Sequence, residues 1–386
     1  MYYARLPSWI LICLCCVPLC FLTACGGTST TDTGTKTTGS SGSSTSHAES
    51  TSAFHPATQP CPAVVSEPGY WDSILNTQSG VDTVVSVTCA NLIGTPSLQA
   101  LVIVRYEGTG QTTNIYVFNN ISSPSPTRIF ENDNLYKGDA KISAYNTLLT
   151  AEVDQGSKVN AKQSNAGYRQ DLFREYKWSN GAGTLVPVSF PGIFPNLTRY
   201  EAENSQQQVN QGKLPLLSAT QVARSLTTEL LNWSTNATVT IVSGGNQHDN
   251  DAIVKVTNSG TSGGTINVVM SRLEGNTNNG IWEVTSVTSD GLSVTTPQNR
   301  DLLNGATTVT GTANAGSKVK VLDHLYTVLS TTDVKDTNGN TAFSTHVSYT
   351  TSFKDGAQEG LLVLYSYSNV DGSIDGAVML KELLNP

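Results

Sequence analysis

The sequence predicts a mainly β protein with an α+β region, and three observations lead to that prediction. β-branched residues recur in short, partly alternating runs, and Gly or Asn turns separate those runs. One stretch repeats its apolar residues at helical spacing instead. In chain order, we expect an N-terminal antiparallel β domain, a central helix-on-sheet domain and a C-terminal β-sandwich.

Residues 1–24 have the pattern of a signal peptide. Arg5 supplies a positive charge, and the apolar stretch from Trp9 to Leu22 has the length of a signal h-region rather than of a membrane span. The four residues from Leu22 to Cys25 then resemble the lipobox of bacterial lipoproteins. The resemblance implies cleavage before Cys25, lipidation of its thiol, and attachment to the extracytoplasmic face of the cell membrane. The alternative is an ordinary secretory signal with a chance cysteine.

Residues 25–60 are mostly Gly, Ser and Thr, with hardly an apolar side chain. Such a segment cannot bury enough surface to offset the entropy of ordering it. We therefore expect a disordered tether that holds the folded part away from the membrane.

The cysteines predict one disulfide. Of the seven, four would leave with the signal peptide and Cys25 would be lipidated, so Cys61 and Cys89 remain. Two cysteines in an exported protein favour a bond between them, and two free thiols are the alternative.

Residues 61–195 are expected to form the antiparallel β domain. The runs Thr83–Cys89 and Leu98–Tyr106 are rich in β-branched and apolar residues. Further on, Asp171–Trp178 alternates with a period close to two, and a Ser-Asn-Gly turn leads into Thr184–Phe190. That arrangement predicts a β-hairpin.

Residues 196–296 are expected to form the helix-on-sheet domain. Ser218 is a candidate N-cap, and Gln221 lies three residues later, as in a capping box. Strand-like runs separated by turns follow as far as Val294. The residues that share one face of the predicted helix are Ala219, Val222, Leu226, Leu230 and Trp233.

Residues 297–386 read as a small β-sandwich. The motifs are V-x-G-x-A at Val309–Ala313, V-x-D at Val321–Asp323, F-S-x-x-V at Phe343–Val347, and a final strand and turn at Leu362–Ser373. Their order is similar to the immunoglobulin-like domain of bacterial spore-germination proteins. The resemblance implies an extracytoplasmic accessory domain without catalytic residues.

Two short motifs suggest catalysis or metal binding, but each can also be interpreted as a turn between strands. Gly260–Gly264 matches G-x-S-x-G, yet strand patterns flank it on both sides and its glycines suit a hairpin loop. Asp371 to Glu382 has the spacing of a calcium loop, but Asp-Gly also begins the turn between the last two strands. We therefore predict no catalytic residue, no metal ligand and no cofactor.

Charge and composition reduce the number of functions that this chain could have. A net charge of −8 argues against a nucleic-acid partner. We expect a non-catalytic binding or scaffolding module of the cell envelope, whose partner is another envelope protein or a wall polymer. An envelope hydrolase or sugar-processing enzyme with an unrecognised site is the alternative. The aromatic pairs Tyr176 with Trp178 and Tyr365 with Tyr367 are interpreted as core packing rather than as a binding face.

Overall fold

The computed structural model describes residues 58–385, with short gaps. The predicted signal peptide, Cys25 and most of the predicted tether therefore lie outside the described residues. The gaps are residues 79, 109, 158, 214, 260–262, 276–278, 324–325, 336–340, 349–357 and 369–370.

The protein is mostly β, with 48% strand and 13% helix, and its sheets are largely antiparallel. This confirms the β-rich class that alternation and turn chemistry predict.

A five-stranded antiparallel sheet begins the described chain. Its strands, in spatial order, are β1 (Thr58–Gln59), β2 (Asp82–Ala90), β3 (Gln99–Tyr106), β4 (Thr112–Asn119) and β5 (Thr127–Tyr136). The central strand β3 is almost continuously apolar because both of its faces are covered. Ala100 and Val102 pack beside Trp71 on one face, while Leu101 and Ile103 belong to a second hydrophobic cluster on the other.

Two short helices cover one face of this sheet, α1 (Ala63–Ser66) and α2 (Pro68–Leu75). Proline suits the first position of α2 because its missing N–H would have no helical partner there. Trp71 is fully buried, and its Nε1 donates to the Val65 carbonyl at 2.7 Å. The sequence pattern predicts mostly strands in this region and does not single out these helices, since elements this short show no helical periodicity.

A second sheet of four antiparallel strands packs against the first. Its strands are β6 (Asp139–Ile142), β7 (Leu148–Glu152), β8 (Leu172–Ser179) and β9 (Thr184–Val188). Strands β8 and β9 form the hairpin that the sequence predicts, with Ser179 opposite Thr184. Tyr176 and Leu185 share a core with Leu101 of the first sheet, so the two sheets bury one another.

Two longer helices follow, α3 (Arg199–Asn210) and α4 (Ala219–Leu230). The reciprocal capping box is in α3, where Thr198 accepts from the Glu201 N–H and Glu201 accepts from the Thr198 N–H. At the start of α4, Ser218 Oγ accepts from the Gln221 N–H at 3.4 Å. The apolar side chains Val222 and Leu226 of α4 are fully buried.

The remaining strands form one twelve-stranded sheet. Its main path runs β10-β11-β12-β13-β21-β20-β17-β18, while β14, β16 and β19 branch from β13, and β15 pairs in parallel with β21. The strands are β10 (Thr238–Gly244), β11 (Asp251–Thr257), β12 (Thr265–Arg272), β13 (Trp282–Ser289), β14 (Leu292–Thr296), β15 (Leu302–Asn304), β16 (Ala306–Ala313), β17 (Lys318–Leu322), β18 (Val328–Asp333), β19 (Ala342–Ser348), β20 (Gln358–Tyr367) and β21 (Ile374–Asn385).

The hairpin β20–β21 serves two hydrophobic cores at once. Leu361 and Val363 face the core that contains α4 and strands β11 to β13, whereas Leu362 and Leu364 face the core of the C-terminal strands. Side chains alternate between the faces of a strand, so one apolar run supplies both cores. The sheet is therefore continuous across residue 296, where the sequence pattern changes.

Candidate binding cleft

The segment between β9 and α3, residues 189–198, crosses from the second sheet to the large sheet. The Ile193 N–H donates to the Val284 carbonyl, and the Val284 N–H donates to the Phe194 carbonyl, each at 2.7 Å. These bonds fix the segment to β13. We call it the crossing segment, and four buried carboxylates lie around it.

The first carboxylate, Glu359, forms a buried ion pair with Lys381. The Lys381 Nζ lies 3.0 Å from Glu359 Oε2, and the two side chains are 0% and 5% exposed. Glu359 also accepts from the Phe190 N–H at 2.6 Å and from Ser189 Oγ at 2.9 Å. Burial raises the pKa of Glu359, while Lys381 and these donors act against the rise. The pair therefore ties the crossing segment to the hairpin.

Arg199 connects two further carboxylates, Glu175 and Glu274. Its Nε lies 2.8 Å from Glu175 Oε1 on β8, and its Nη1 lies 2.7 Å from Glu274 Oε1 beyond β12. The guanidinium also lies over the Tyr145 ring, 4.4 Å from its centroid. Burial raises the pKa of Glu274 to about 8, and Arg199 opposes that rise. Arg199 thus joins the second sheet to the large sheet.

The fourth carboxylate, Glu283 on β13, is paired with an amide. The Asn196 Nδ2 donates to Glu283 Oε1 at 2.6 Å, and the Glu283 side chain is fully buried. Burial raises the pKa of Glu283 well above its ordinary value, against two hydrogen bonds from Asn196. Each of these four groups has donors, so each is explained as a structural connection between elements.

Beside the crossing segment lies a cleft of about 980 Å³. The β7–β8 loop, the crossing segment, the end of α4, the turn before β18 and the ends of β20 and β21 line it. Its apolar wall includes Ile193, Leu361 and Leu384. Arg169 is the cationic residue among the described lining residues. The carboxylates that line the cleft are Asp154, Asp171, Glu201, Glu229, Asp323, Glu359 and Glu382.

Glu382 differs from the other buried carboxylates because neither of its side-chain oxygens has a hydrogen-bond partner among the described residues. The residue is 0% exposed. Burial raises its pKa to about 8, and the charge of Asp301 adds to the rise. Glu382 pairs with Gly360 across the hairpin and Glu359 pairs with Leu383, so the two carboxylates lie on opposite faces.

The predicted disulfide is present. The Cys61 and Cys89 sulfurs are bonded at 2.09 Å, with their Cα atoms 5.2 Å apart. The bond joins the chain just before α1 to β2, and Cys89 is buried beside the helices that cover the first sheet. Cys25, the predicted lipidation site, lies outside the described residues.

The weaker sequence motifs lie in hairpins. The G-x-S-x-G stretch connects β11 and β12, which pair antiparallel, and its Ser262 is outside the described residues. Asp371 Oδ1 accepts from the Ser373 N–H at 3.0 Å in the β20–β21 turn. Glu382 lies far along β21, so the two residues do not share a loop.

The aromatic pairs are largely core residues. Tyr365 is 4% exposed, and its hydroxyl donates to the Leu230 carbonyl at 2.9 Å. Tyr176 is 5% exposed and packs 5.0 Å from Phe130, measured between ring centroids. An aromatic that the sequence does not single out, Tyr326, is 42% exposed in the wall of the cleft.

Within the part of the chain that the structure describes, no helix is both long and apolar enough to cross a membrane. The same residues contain no group of three His, Cys, Asp or Glu side chains arranged to hold a metal ion.

Comparison with known proteins identifies no family: no family model matches the chain, and no curated protein does. Among solved structures, the chain is similar to a protein of unknown function from Dyadobacter fermentans, at 10% identity over 79% of this chain and 99% of that one, with a TM-score of 0.21. It is also similar to the BSP domain of a biofilm-associated protein, at 10% identity over 82% of this chain and 69% of that one, with a TM-score of 0.17. At these TM-scores, neither likeness bears on function.

In the sequence, Glu382 stands out only as the twelfth position of a stretch with calcium-loop spacing. The stronger signal is local: Lys381 and Glu382 interrupt an apolar run from Val378 to Leu384. Adjacent charges inside a strand that is buried on both faces must either be paired or line a cavity. Lys381 is paired and Glu382 lines the cleft.

Proposed function

We propose that this chain is a non-catalytic, lipid-anchored protein of the cell envelope, which binds a partner on the outer face of the membrane through the acidic cleft. The N-terminal resemblance to a lipobox supports an anchor at Cys25. The partner is another envelope protein or a wall polymer.

The observation that supports export most directly is the disulfide between Cys61 and Cys89. Disulfides form and persist in oxidising compartments and are rare where thiols are kept reduced. An exported location is also what the resemblance at Leu22 to Cys25 implies, and the two lines of support come from different parts of the chain.

The cleft supports the binding role. A concave site with apolar walls and several convergent polar groups is the usual form of a ligand site. A glycosidase-like alternative requires two carboxyl groups that flank one bond. Glu359 and Glu382 lie on opposite faces of the hairpin, and Glu359 already forms an ion pair with Lys381. For these two carboxylates, the arrangement favours binding over hydrolysis.

Residues 297–386 fit the accessory role that the immunoglobulin-like resemblance implies. Strands β14, β16 and β19 share a hydrophobic cluster with β17, β20 and β21. Two layers of mainly antiparallel strands around a common core are what such a sandwich requires. In this proposal the layers hold the hairpin that forms one end of the cleft.

The binding role can be tested by photo-crosslinking on intact cells. Benzoylphenylalanine replaces Tyr326 in the cleft wall in one strain, and replaces Tyr106 at the end of β3 in a matched control. The two tyrosines are 42% and 43% exposed, so their access to solvent is equal. We expect an adduct with an envelope component from position 326 and none from position 106. No adduct at 326, or equal adducts at both positions, would contradict the proposal.

A further inference from the structure

Glu382 is a buried acid that receives no hydrogen bond from the described part of the chain. It is 0% exposed, lines the cleft, and has no hydrogen-bond partner for either oxygen among the described residues. Leaving a buried polar group unpaired is unfavourable, and most such groups in proteins are satisfied. An unpaired acid at the wall of a cleft is therefore a candidate contact for a ligand that brings its own donor.

Two leucine side chains share the strand face of Glu382. Leu384 lies two residues further along β21 on the same face, and Leu362 belongs to that face of β20. Gly360 is directly opposite Glu382, and a Cβ atom at position 360 would lie 2.6 Å from Leu384 Cγ. Leu384 thus covers Gly360, and leucine side chains lie beside the acid.

The rest of the cleft has the same sign of charge. Acidic side chains from the end of α4, the turn before β18 and the β7–β8 loop line it, and Arg169 is the cation among the described lining residues. Such a site attracts positively charged groups and repels anions. The cluster and the unpaired buried acid are independent observations, and both indicate a cationic donor.

We propose that the cleft binds a primary ammonium group carried on an aliphatic stem, with Glu382 as the anchoring carboxylate. The proposal rests on the cleft being the binding site of the protein. An ammonium group has three donors and no acceptor, which suits two free carboxylate oxygens. The methylene groups of the stem would pack against Leu362 and Leu384, as lysine stems do along apolar surfaces. A lysine or other diamino acid side chain has this chemistry.

The same geometry predicts how binding depends on pH. The pKa of Glu382 is about 8 without a ligand, so the carboxyl group is mostly protonated at pH 6. An ammonium group favours the ionised form, so binding releases a proton and tightens as the pH rises. The other charged groups on this hairpin are Glu359, Asp371, Asp375 and Lys381. Those on the elements packed against it include Glu175, Glu283, Arg300, Asp301, Lys318 and Lys320.

Isothermal titration calorimetry on the purified full-length protein in detergent tests the proposal. The probe is Nα-acetyl-lysine amide, and its matched control is the same molecule acetylated on the side-chain nitrogen, which has no charge. N-acetylglucosamine is a third probe, for a neutral sugar. The variant is Glu382→Gln, with Glu67→Gln as its control because Glu67 is exposed at the start of α2.

We expect the lysine probe to bind the unmodified protein and the Glu67→Gln variant equally. We expect binding at least ten-fold weaker with Glu382→Gln or with the acetylated probe. Affinity should rise roughly 50-fold from pH 6 to pH 8 as one group of pKa near 8 ionises. No binding of the lysine probe, equal binding by Glu382→Gln, or preferential binding of the sugar would overturn the proposal. A crosslink from position 326 that persists in those cases would leave the binding role intact and reject only this ligand class.

Discussion

Lys381 and Glu359 are diagonal neighbours on one face of the terminal hairpin, with Nζ 3.0 Å from Oε2. Both side chains are buried, and the lysine also donates to the Gly192 carbonyl at 3.1 Å. The pair thus holds the crossing segment against the large sheet. Because the pair is buried, the loss of stability on removing one partner depends on the charge that is left behind.

Lys381→Met should destabilise the protein by about 3–5 kcal/mol, because it leaves Glu359 buried without its cation. Adding Glu359→Gln to that variant should recover most of the loss. The control is Lys318→Met, which breaks an ion pair with Asp333 whose side chains are 49% and 72% exposed. That change should cost less than about 1 kcal/mol. Denaturant unfolding measures all three variants, and equal losses for Lys381→Met and Lys318→Met would contradict the structural role.

The local elements of this fold could be predicted from the sequence, but the ion pair could not. Alternation in Asp171–Trp178 and the cap at Ser218 are local signals, and the structure has a hairpin and a helix start there. The ion pair joins residues 22 positions apart through a hairpin register, and its hydrogen bonds reach residue 189. Sequence spacing carries no information on such distant contacts.

The cleft could not be predicted from the sequence either. The segments that line it are far apart in the sequence, and the acids on them read as ordinary surface charge. The one local indication is the Lys381-Glu382 pair within an apolar strand. Both sides of the hairpin are buried, so Lys381 forms an ion pair on one face, and Glu382 on the other face has no hydrogen-bond partner among the residues that the structure describes.

The stability of the protein should fall as the pH rises from 5 to 8. Burial raises the pKa of Glu382 to about 8, so the folded state binds more protons than the unfolded state in this range. Stability from such a group is present at low pH and is lost as pH rises toward the folded-state pKa. Glu382→Gln should therefore flatten the slope by roughly 1 kcal/mol per pH unit, whereas Glu67→Gln should not. Urea unfolding at four pH values measures this, and identical slopes in both variants would refute it.

Removing the disulfide should lower stability by about 3–4 kcal/mol in the chain-entropy model, since the bridged cysteines are 28 residues apart. The variant is Cys61→Ser with Cys89→Ser, compared with the oxidised parent by denaturant unfolding. Peptide mapping of exported protein without reductant gives the second readout. Finding both thiols free in that protein would show that the bond does not form in the cell.

Residues 298–386 alone should not give a well-dispersed amide spectrum. The turn-rich sequence near residue 297 predicts an independent sandwich, but Leu361, Val363 and Met379 are buried in the core shared with α4. An isolated fragment would expose that whole face of β20–β21 to water. A longer fragment, residues 189–386, keeps both cores and should give a dispersed spectrum. Dispersed signals from residues 298–386 alone would mean that the second core is dispensable.

The most direct test of a lipid-anchored envelope protein is the fractionation of cells that express Cys25→Ala. The unmodified protein should sediment with membranes and carry a lipid-modified N-terminal cysteine by mass spectrometry. The variant should lack the lipid and should appear as unprocessed or soluble protein, because the thiol is the group that accepts the acyl-bearing moiety in the lipoproteins that the N-terminus resembles. A mature Cys25→Ala protein that partitions with membranes as the unmodified protein does would contradict the account.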